Sequence, residues 1–487
     1  MTDHDIGAFL NDYADAIDEG TAALFCGAGL SKASGFVDWK DLLRDIATEL
    51  HLDVDLESDL ISVAQYHHNR TRSRATLNRH IIEEFTKTAE ANENHRLIAS
   101  LPIRTIWTTN YDPLIENAFL AAGKRPDIKT TSENLATTLP RRDVTIYKMH
   151  GDVTQPQNAV ITKDDYETYN VNREPFSLQL QGDLLSKTFL FLGFSFADPN
   201  IDYILARIRT LLGHNQRQHY CIMKRPAAPS GRGKSKADQE YAQRKMELRI
   251  DDLQRYSISV VLVDAYNEIP PILEELNRRS RRKHIFVSGS AYEYGVMGRE
   301  RVEALAFELG QRIYQGGLHL VSGFGLGIAG FTILGMFEGA YTNDTGDLAM
   351  RATLRPFPQS VPAGVGLSLS EFWKKYRRDL IGNAGFAIFL SGNKQDPKSG
   401  QPIVADGVLE EFAITKALGR FPIPIGCTGF AARTIWDEVS ANLDVFYPGM
   451  NVKKHFKTIG AESSSNDAVL DAVFAIVKQA SKSFSSA

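Results

Sequence analysis

The chain has 487 residues, more than one hydrophobic core usually serves, so two or three domains are expected. Its 55 Lys+Arg against 59 Asp+Glu leave no excess of positive charge for a nucleic-acid face. Three cysteines, Cys26, Cys221 and Cys427, are too few and too scattered for a four-cysteine zinc site or a disulfide framework, and no apolar run reaches the ~18 residues of a membrane span. Met1-Thr-Asp-His-Asp5 lacks the apolar core of a signal peptide, so a cytoplasmic globular protein is the expectation.

Ile6, Phe9, Leu10, Tyr13 and Ile17 recur at helical spacing and predict a packing helix over 5–19. A buried-strand pattern, Ala22-Ala-Leu-Phe-Cys26, then opens into Gly27-Ala-Gly-Leu-Ser31. Glycines there would let the backbone approach a phosphate, although a lone Gly-x-Gly also suits a plain tight turn. Residues 40–100 read as helical, with Leu42, Leu43, Ile46 and Leu50 on one face. His67 and His68 are adjacent and point to different helix faces, which argues for packing or surface roles and not for a metal.

Three more strand patterns end in polar or small residues. Arg104-Thr-Ile-Trp107 leads to Thr108-Thr-Asn-Tyr-Asp112, Val144-Thr-Ile-Tyr147 to His150-Gly-Asp152, and Thr188-Phe-Leu-Phe-Leu192 to Gly193-Phe-Ser-Phe-Ala-Asp198. In a doubly wound sheet such strand ends line one crevice, where ligands bind. The four motifs are therefore read as walls of one site, with His150 at its chemical centre. Asp198-Pro199 predicts a helix cap followed by proline at the first helical position, and Ile201, Ile204, Leu205, Ile208 and Leu212 predict the helix itself. Asp198 is given no role beyond that cap. Cys26, inside an apolar strand, is read as core.

Strand 218–223 precedes a polar Pro-, Gly- and Lys-containing loop over 225–236, and 258–263 reads as the last strand of the first domain. Leu276-Asn-Arg-Arg-Ser-Arg-Arg-Lys283 is read as a solvated linker. A second α/β unit follows, with strands at 284–287, 318–321, 352–355, 386–390 and 422–425. Ser288-Gly-Ser290 and Ser322-Gly-Phe-Gly-Leu-Gly327 stand at strand ends, loops are expected over 342–370, and a last helix over 467–480. The expected fold is α/β, two Rossmann-like doubly wound domains spanning 1–280 and 284–487.

Taken in order, Gly27-Ala-Gly-Leu-Ser31, Asn110-Tyr-Asp112, His150-Gly151 and Gly193-Phe-Ser195 resemble the sirtuin (SIR2) fold. That resemblance implies NAD binding by Gly27, Ala28, Gly29, Ser31, Asp112, Gly193 and Ser195, with His150 and Asn110 catalytic. The four zinc cysteines of protein-deacylating sirtuins are absent, and Phe36-Val-Asp-Trp39 stands where they carry Asp-Phe-Arg. NAD⁺ cleavage is then the retained chemistry, with no metal and no cofactor beyond NAD⁺ as substrate.

The second unit resembles a SLOG domain, the nucleotide-binding relative of the LOG phosphoribohydrolases, and Gly407-Val-Leu-Glu-Glu411 echoes their Gly-Thr-x-x-Glu. The preceding Pro-Gly-Gly is missing, which favours binding over hydrolysis. With Arg355-Pro-Phe-Pro358 and Tyr376-Arg-Arg-Asp379, the whole chain is similar to the SIR2–SLOG effectors of Thoeris anti-phage defence. The resemblance implies an NAD⁺ hydrolase that a cyclic ADP-ribose isomer, made by a TIR-domain partner, switches on. It places the signal on Ser288, Gly289, Ser290, Gly323, Gly325, Gly327, Arg377, Lys394 and Glu411, leaving open which of Arg377 and Arg378 faces it. It also implies a homotetramer that forms filaments on activation. A deacylase, a LOG-like phosphoribohydrolase and a nucleotide sensor with an idle SIR2 domain are the competing readings.

Overall fold

The computed structural model describes residues 6–483 apart from 197, 214, 227–235, 326, 343–350, 363 and 365. The chain divides into two compact units, Met1–Asn277 and Arg278–Ala487.

The first unit is built on seven strands: β1 (Ala22–Cys26), β2 (Thr105–Thr108), β3 (Pro126–Lys129), β4 (Val144–Lys148), β5 (Thr188–Leu192), β6 (His219–Lys224) and β7 (Ile258–Val263). Their order is β3-β4-β2-β1-β5-β6-β7 and every pairing is parallel. The chain winds outward from β1 to one side, then crosses to β5 on the other. That crossing puts the carboxyl ends of β1, β2, β4 and β5 around one crevice. Both faces of β1 are covered, which is why Ala-Ala-Leu-Phe-Cys is apolar without alternation. The helix Ile6–Asp18 packs Phe9, Leu10, Tyr13 and Ile17 into this core, and the Tyr13 hydroxyl donates to Ala23 O at 2.7 Å.

The sequence pattern does not reveal β3. Pro126-Asp-Ile-Lys is short and polar, as an edge strand can be, and proline at its first position loses no ladder bond. The predicted helical stretch over 40–100 is five helices, Trp39–Leu42, Arg44–Glu49, Leu60–Thr71, Ala75–Phe85 and Glu93–Ser100. His67 is buried there with Nε2 at 2.9 Å from Glu49 Oε2, a packing contact. The helix Lys236–Gln254 follows the predicted loop, most of which, 227–235, lies outside the described residues. The solvated-linker reading of 276–283 is overturned. Helix Ile269–Arg279 runs into it, Arg279 and Ser280 are buried, and burial with the Arg420 charge lowers the Arg281 guanidinium to about 9.

The second unit carries β8 (His284–Ser290), β9 (His319–Ser322), β10 (Ala352–Leu354), β11 (Phe386–Ser391), β12 (Asn393–Gln395), β13 (Pro402–Val404) and β14 (Phe421–Pro424). Five form a parallel sheet in the order β10-β9-β8-β11-β14, and β12 pairs antiparallel with β13. Ser288-Gly-Ser290, expected just past a strand over 284–287, is the end of β8 itself and stays in register with Phe389, Leu390 and Ser391 of β11. The glycine is what lets them meet, since a Cβ on Gly289 would lie 2.4 Å from Leu390 O. The fold is thus mixed α/β, with two parallel doubly wound sheets in succession.

Candidate functional site

In the first unit the ends of β1 and β5 touch. Gly27 and Gly29 donate their N–H groups to Leu192 O at 2.9 Å and Gly193 O at 3.0 Å. A Cβ on Gly27 would sit 2.4 Å from Gly193 O, and Gly193 holds φ +63. These glycines serve the approach of two loops to each other, and the N–H groups of Gly27 and Gly29 point at protein, not at a phosphate as the sequence suggests. Ser31 is buried in the short helix Gly29–Lys32, while Ala28 is half-buried and Ser195 exposed along the same wall.

Asn110 and Asp112 follow β2, inside the crevice. Asn110 Nδ2 donates to Gly27 O at 3.2 Å and to Ser31 Oγ at 3.1 Å, joining the β1 and β2 ends. Asp112 Oδ1 accepts at 3.0 Å from the N–H of Leu114, the first residue of the helix Leu114–Ala121. The other oxygens, Asn110 Oδ1 and Asp112 Oδ2, are buried without a hydrogen-bond partner among the described residues. An orphaned buried acceptor costs roughly 1–3 kcal/mol, so two within one three-residue stretch mark a place where a donor-rich ligand fits. Burial raises the Asp112 carboxyl above its ordinary range, against the pull of Lys148 and the Leu114 N–H.

His150 follows β4, and its carbonyl accepts from Val160 N at 2.9 Å. The ring is flanked edge-on by Tyr166 at 5.4 Å and Tyr169 at 6.3 Å between centroids. Its Nε2 lies 2.9 Å from Asp198 Oδ2, a close pair whose angles depart from a straight hydrogen bond. Asp198 is the predicted cap, with Oδ1 accepting from Asn200 N and Ile201 N at 2.9 and 3.2 Å, but it is more than a cap. Burial works against its charge, yet His150 and the helix N–H groups hold its carboxyl below the ordinary range. Sequence reasoning missed this pairing because 48 positions separate the partners; Asp198 in a strand-end motif is the signal that was available.

Two residues before His150, at the end of β4, lies Lys148, fully buried, between Glu116 Oε1 at 2.8 Å and the Asp152 carboxylate. It also donates to the carbonyls of Tyr111 at 3.2 Å and Asp112 at 2.8 Å. Burial disfavours its charge, but the two carboxylates more than offset that and hold the ammonium above its ordinary value. Among the described residues no group of three or more His, Cys, Asp or Glu is arranged to hold a metal ion.

The second unit has a cavity of about 730 Å³ at the ends of β8 and β9. The Ser288–Ser290 and Gly323–Gly325 stretches, Arg377, Lys394 and Glu411 all line it, a volume in the range of small-ligand sites. Gly327 is not in that lining; its φ is +76 and a Cβ there would meet Ala291 O at 2.5 Å. Arg377 faces the cavity and Arg378 is exposed elsewhere on helix Leu369–Gly382. The Arg377 guanidinium lies over the Phe357 ring at 4.8 Å, pairs with Glu410, and comes within 3.4 Å of Glu411. Ser288 Oγ donates to Glu411 Oε2 at 2.5 Å. Burial pushes the Glu411 carboxyl up, against the pull of Ser288 and Arg377. Lys394 pairs with Asp406, and Gly407 is where a Cβ would come 2.8 Å from Arg377 Nη2.

Residues 104–250 match the model of the SIR2-like domain, and residues 268–480 that of the Sir2- and TIR-associating SLOG family. The NAD(+) hydrolase ThsA of Bacillus cereus (strain MSX-D12) is 42% identical over 473 residues, 96% of this chain and 97% of its own. The NAD(+) hydrolase ThsA of Acinetobacter baumannii (strain 532279) is 40% identical over 486 residues, 98% of this chain and 100% of its own. Defense-associated sirtuin 2 of Bacillus subtilis is 25% identical over 218 residues, 43% of this chain and 21% of its own.

Proposed function

Because the chain belongs to the ThsA family of NAD(+) hydrolases, we propose that the crevice holding Asn110, Asp112 and His150 is where this NAD⁺ hydrolase cleaves its substrate. The reaction adds water across the nicotinamide–ribose bond and yields ADP-ribose, nicotinamide and a proton. Nicotinamide leaves from a cationic ring nitrogen, so it departs neutral and needs no acid. What the site must do is tolerate positive charge on the ribose and take a proton from the attacking water.

His150 is the base for that water, and Asp198 stabilises the imidazolium that forms. Asp112 Oδ2 and Asn110 Oδ1 accept from the carboxamide N–H and the ribose hydroxyls, and Gly27, Ala28, Gly29, Ser31, Gly193 and Ser195 wall the dinucleotide. The two orphaned acceptors past the end of β2, on the strand paired with the one that delivers His150, are the observation that carries this reading. General-base assistance is typically worth ~10²–10⁴-fold. His150→Ala therefore lowers nicotinamide release by that range, and a variant within threefold of wild type would remove His150 from the chemistry.

The second half of the proposal is control. Residues 284–487 bind a cyclic ADP-ribose isomer from a TIR-domain partner, and binding releases the activity of residues 1–280 in the cytoplasm. Depletion of NAD⁺ then serves anti-phage defence, through a homotetramer that assembles into filaments when active. The family description of residues 268–480 and a cavity offering Arg377 and Lys394 to phosphates support this. A signal shifts the population toward the active arrangement only by its preference for that arrangement. The test is nicotinamide release by full-length protein, alone and with each cyclic ADP-ribose isomer. Full turnover without any isomer would overturn the control scheme while leaving the hydrolase intact.

A further inference from the structure

A buried lysine needs a reason. An ammonium taken out of water costs several kcal/mol even after relaxation, and a methionine of similar length would fill the same core without that cost. Lys148 is 0% exposed and its Nζ reaches four acceptors: the Glu116 and Asp152 carboxylates and the Tyr111 and Asp112 carbonyls. Three of the four lie in the 111–116 segment that bears Asp112. The fourth lies two residues beyond His150.

The backbone follows the same path. Met149 N donates to Thr108 O at 3.1 Å and Val153 N to Tyr111 O at 3.1 Å, so the loops after β2 and β4 are laced together in the residues that follow Lys148. We infer that Lys148 is a positioning residue of the NAD⁺-cleaving site, fixing the Asn110–Asp112 loop against the His150 loop. The inference rests on the reading of this crevice as the hydrolytic site. Lys148 itself touches no reacting atom; it acts through Asp112.

The charged and titratable groups that face Asp112 are Lys148 from β4, Glu116 from the following helix and the Cys26 thiol from β1, with the Ser31 hydroxyl beside them. Lys148 favours the Asp112 anion and Glu116 opposes it. Two substitutions therefore move the site in opposite directions. Loss of Lys148 protonates Asp112 at higher pH, and loss of the Glu116 charge protonates it at lower pH.

The experiment is the pH profile of nicotinamide release by full-length protein, with each cyclic ADP-ribose isomer tested in parallel. Lys148→Met removes the ammonium from both carboxylates, and Glu116→Gln is the near-isosteric counterpart that keeps Lys148 paired with Asp152. Lys148→Met is expected to lose about 10²-fold in kcat/KM, with its acid limb moved to higher pH. Glu116→Gln is expected to keep turnover and move the acid limb to lower pH. Melting curves establish that each is folded. Wild-type acid limbs in both variants would make Lys148 a structural residue only and overturn the inference. A wild type that releases no nicotinamide with any isomer would overturn the reading of the crevice as well, and that result is visible before any variant is compared.

Discussion

Both strand-end crevices of this chain come from the same doubly wound plan, yet they treat charge in opposite ways. In the first unit Asn110, Asp112 and His150 are 7%, 2% and 3% exposed, and the polar groups around them answer one another: Asn110 to Ser31, His150 to Asp198, Lys148 to Glu116 and Asp152. In the second unit Arg377 and Lys394 line an open cavity of about 730 Å³, each balanced by a carboxylate that a ligand can displace. Catalysis gains from groups fixed in a low dielectric before the substrate arrives, whereas sensing needs charges that exchange partners. Under the roles proposed above, one fold supplies both because the strand ends set position while the residues beyond them set exposure.

The sharpest break in that contrast is at Asp198. Asp198→Asn keeps a side chain that caps helices as well as aspartate does, so the melting temperature should hold. It removes the charge opposite His150, and turnover should fall by about 10²-fold. Equal turnover would reduce Asp198 to the cap that the sequence suggests. The same substitution logic at the proposed signal site is Arg377→Ala. Removing a charge-assisted phosphate contact of about 1.5–3 kcal/mol should raise the half-maximal isomer concentration roughly 10- to 100-fold in a calorimetric titration.

Acid should separate the units. Burial, with the nearby Arg96 charge, lowers His95 to about 4, and burial with Arg217 lowers His219 to about 3. Both histidines belong to the first unit. A depressed folded value means the unfolded chain takes up the proton first. Their contribution is complete above the unfolded value near ~6.5 and is lost as pH falls toward the folded values, by about 1.4 kcal/mol per histidine per pH unit. Hydrogen exchange between pH 7 and 4.5 should show protection falling faster in residues 6–277 than in 278–483. Uniform loss would deny the contrast.

The smallest expected effect lies at Glu410. It occupies one face of the Arg377 guanidinium in a site whose proposed ligand is anionic. Glu410→Gln should lower the half-maximal isomer concentration a few-fold by removing a competitor. A higher concentration would mean that Glu410 orients Arg377 for the ligand and does not compete with it.

Much of this molecule is legible along the chain. Runs such as Ala22–Cys26 and Thr188–Leu192 are apolar throughout because both faces of a parallel sheet are covered, and that pattern needs no partner to be seen. The helix after Asp198-Pro199 is equally local, since cap, proline and stripe lie within a few turns. The cavity stretches in the second unit were legible as glycines and serines at strand ends, although Ser288–Ser290 proved to be strand and Gly327 a packing glycine. Edge strand β3 was not legible, because a four-residue polar strand carries no period to read.

Two α/β units, the order of their strands' terminal motifs and the residue types on offer at each strand end can be read along the chain. Those follow from local periodicity and turn chemistry. Only the tertiary structure decided that Asp198 meets His150, that Lys148 is buried among two carboxylates, that Gly27 is spent on Gly193, and that Arg377 and not Arg378 faces the cavity. Each of those is a meeting of side chains or backbone carried on different elements, or the choice of a helix face, and no rule of spacing along one element fixes either.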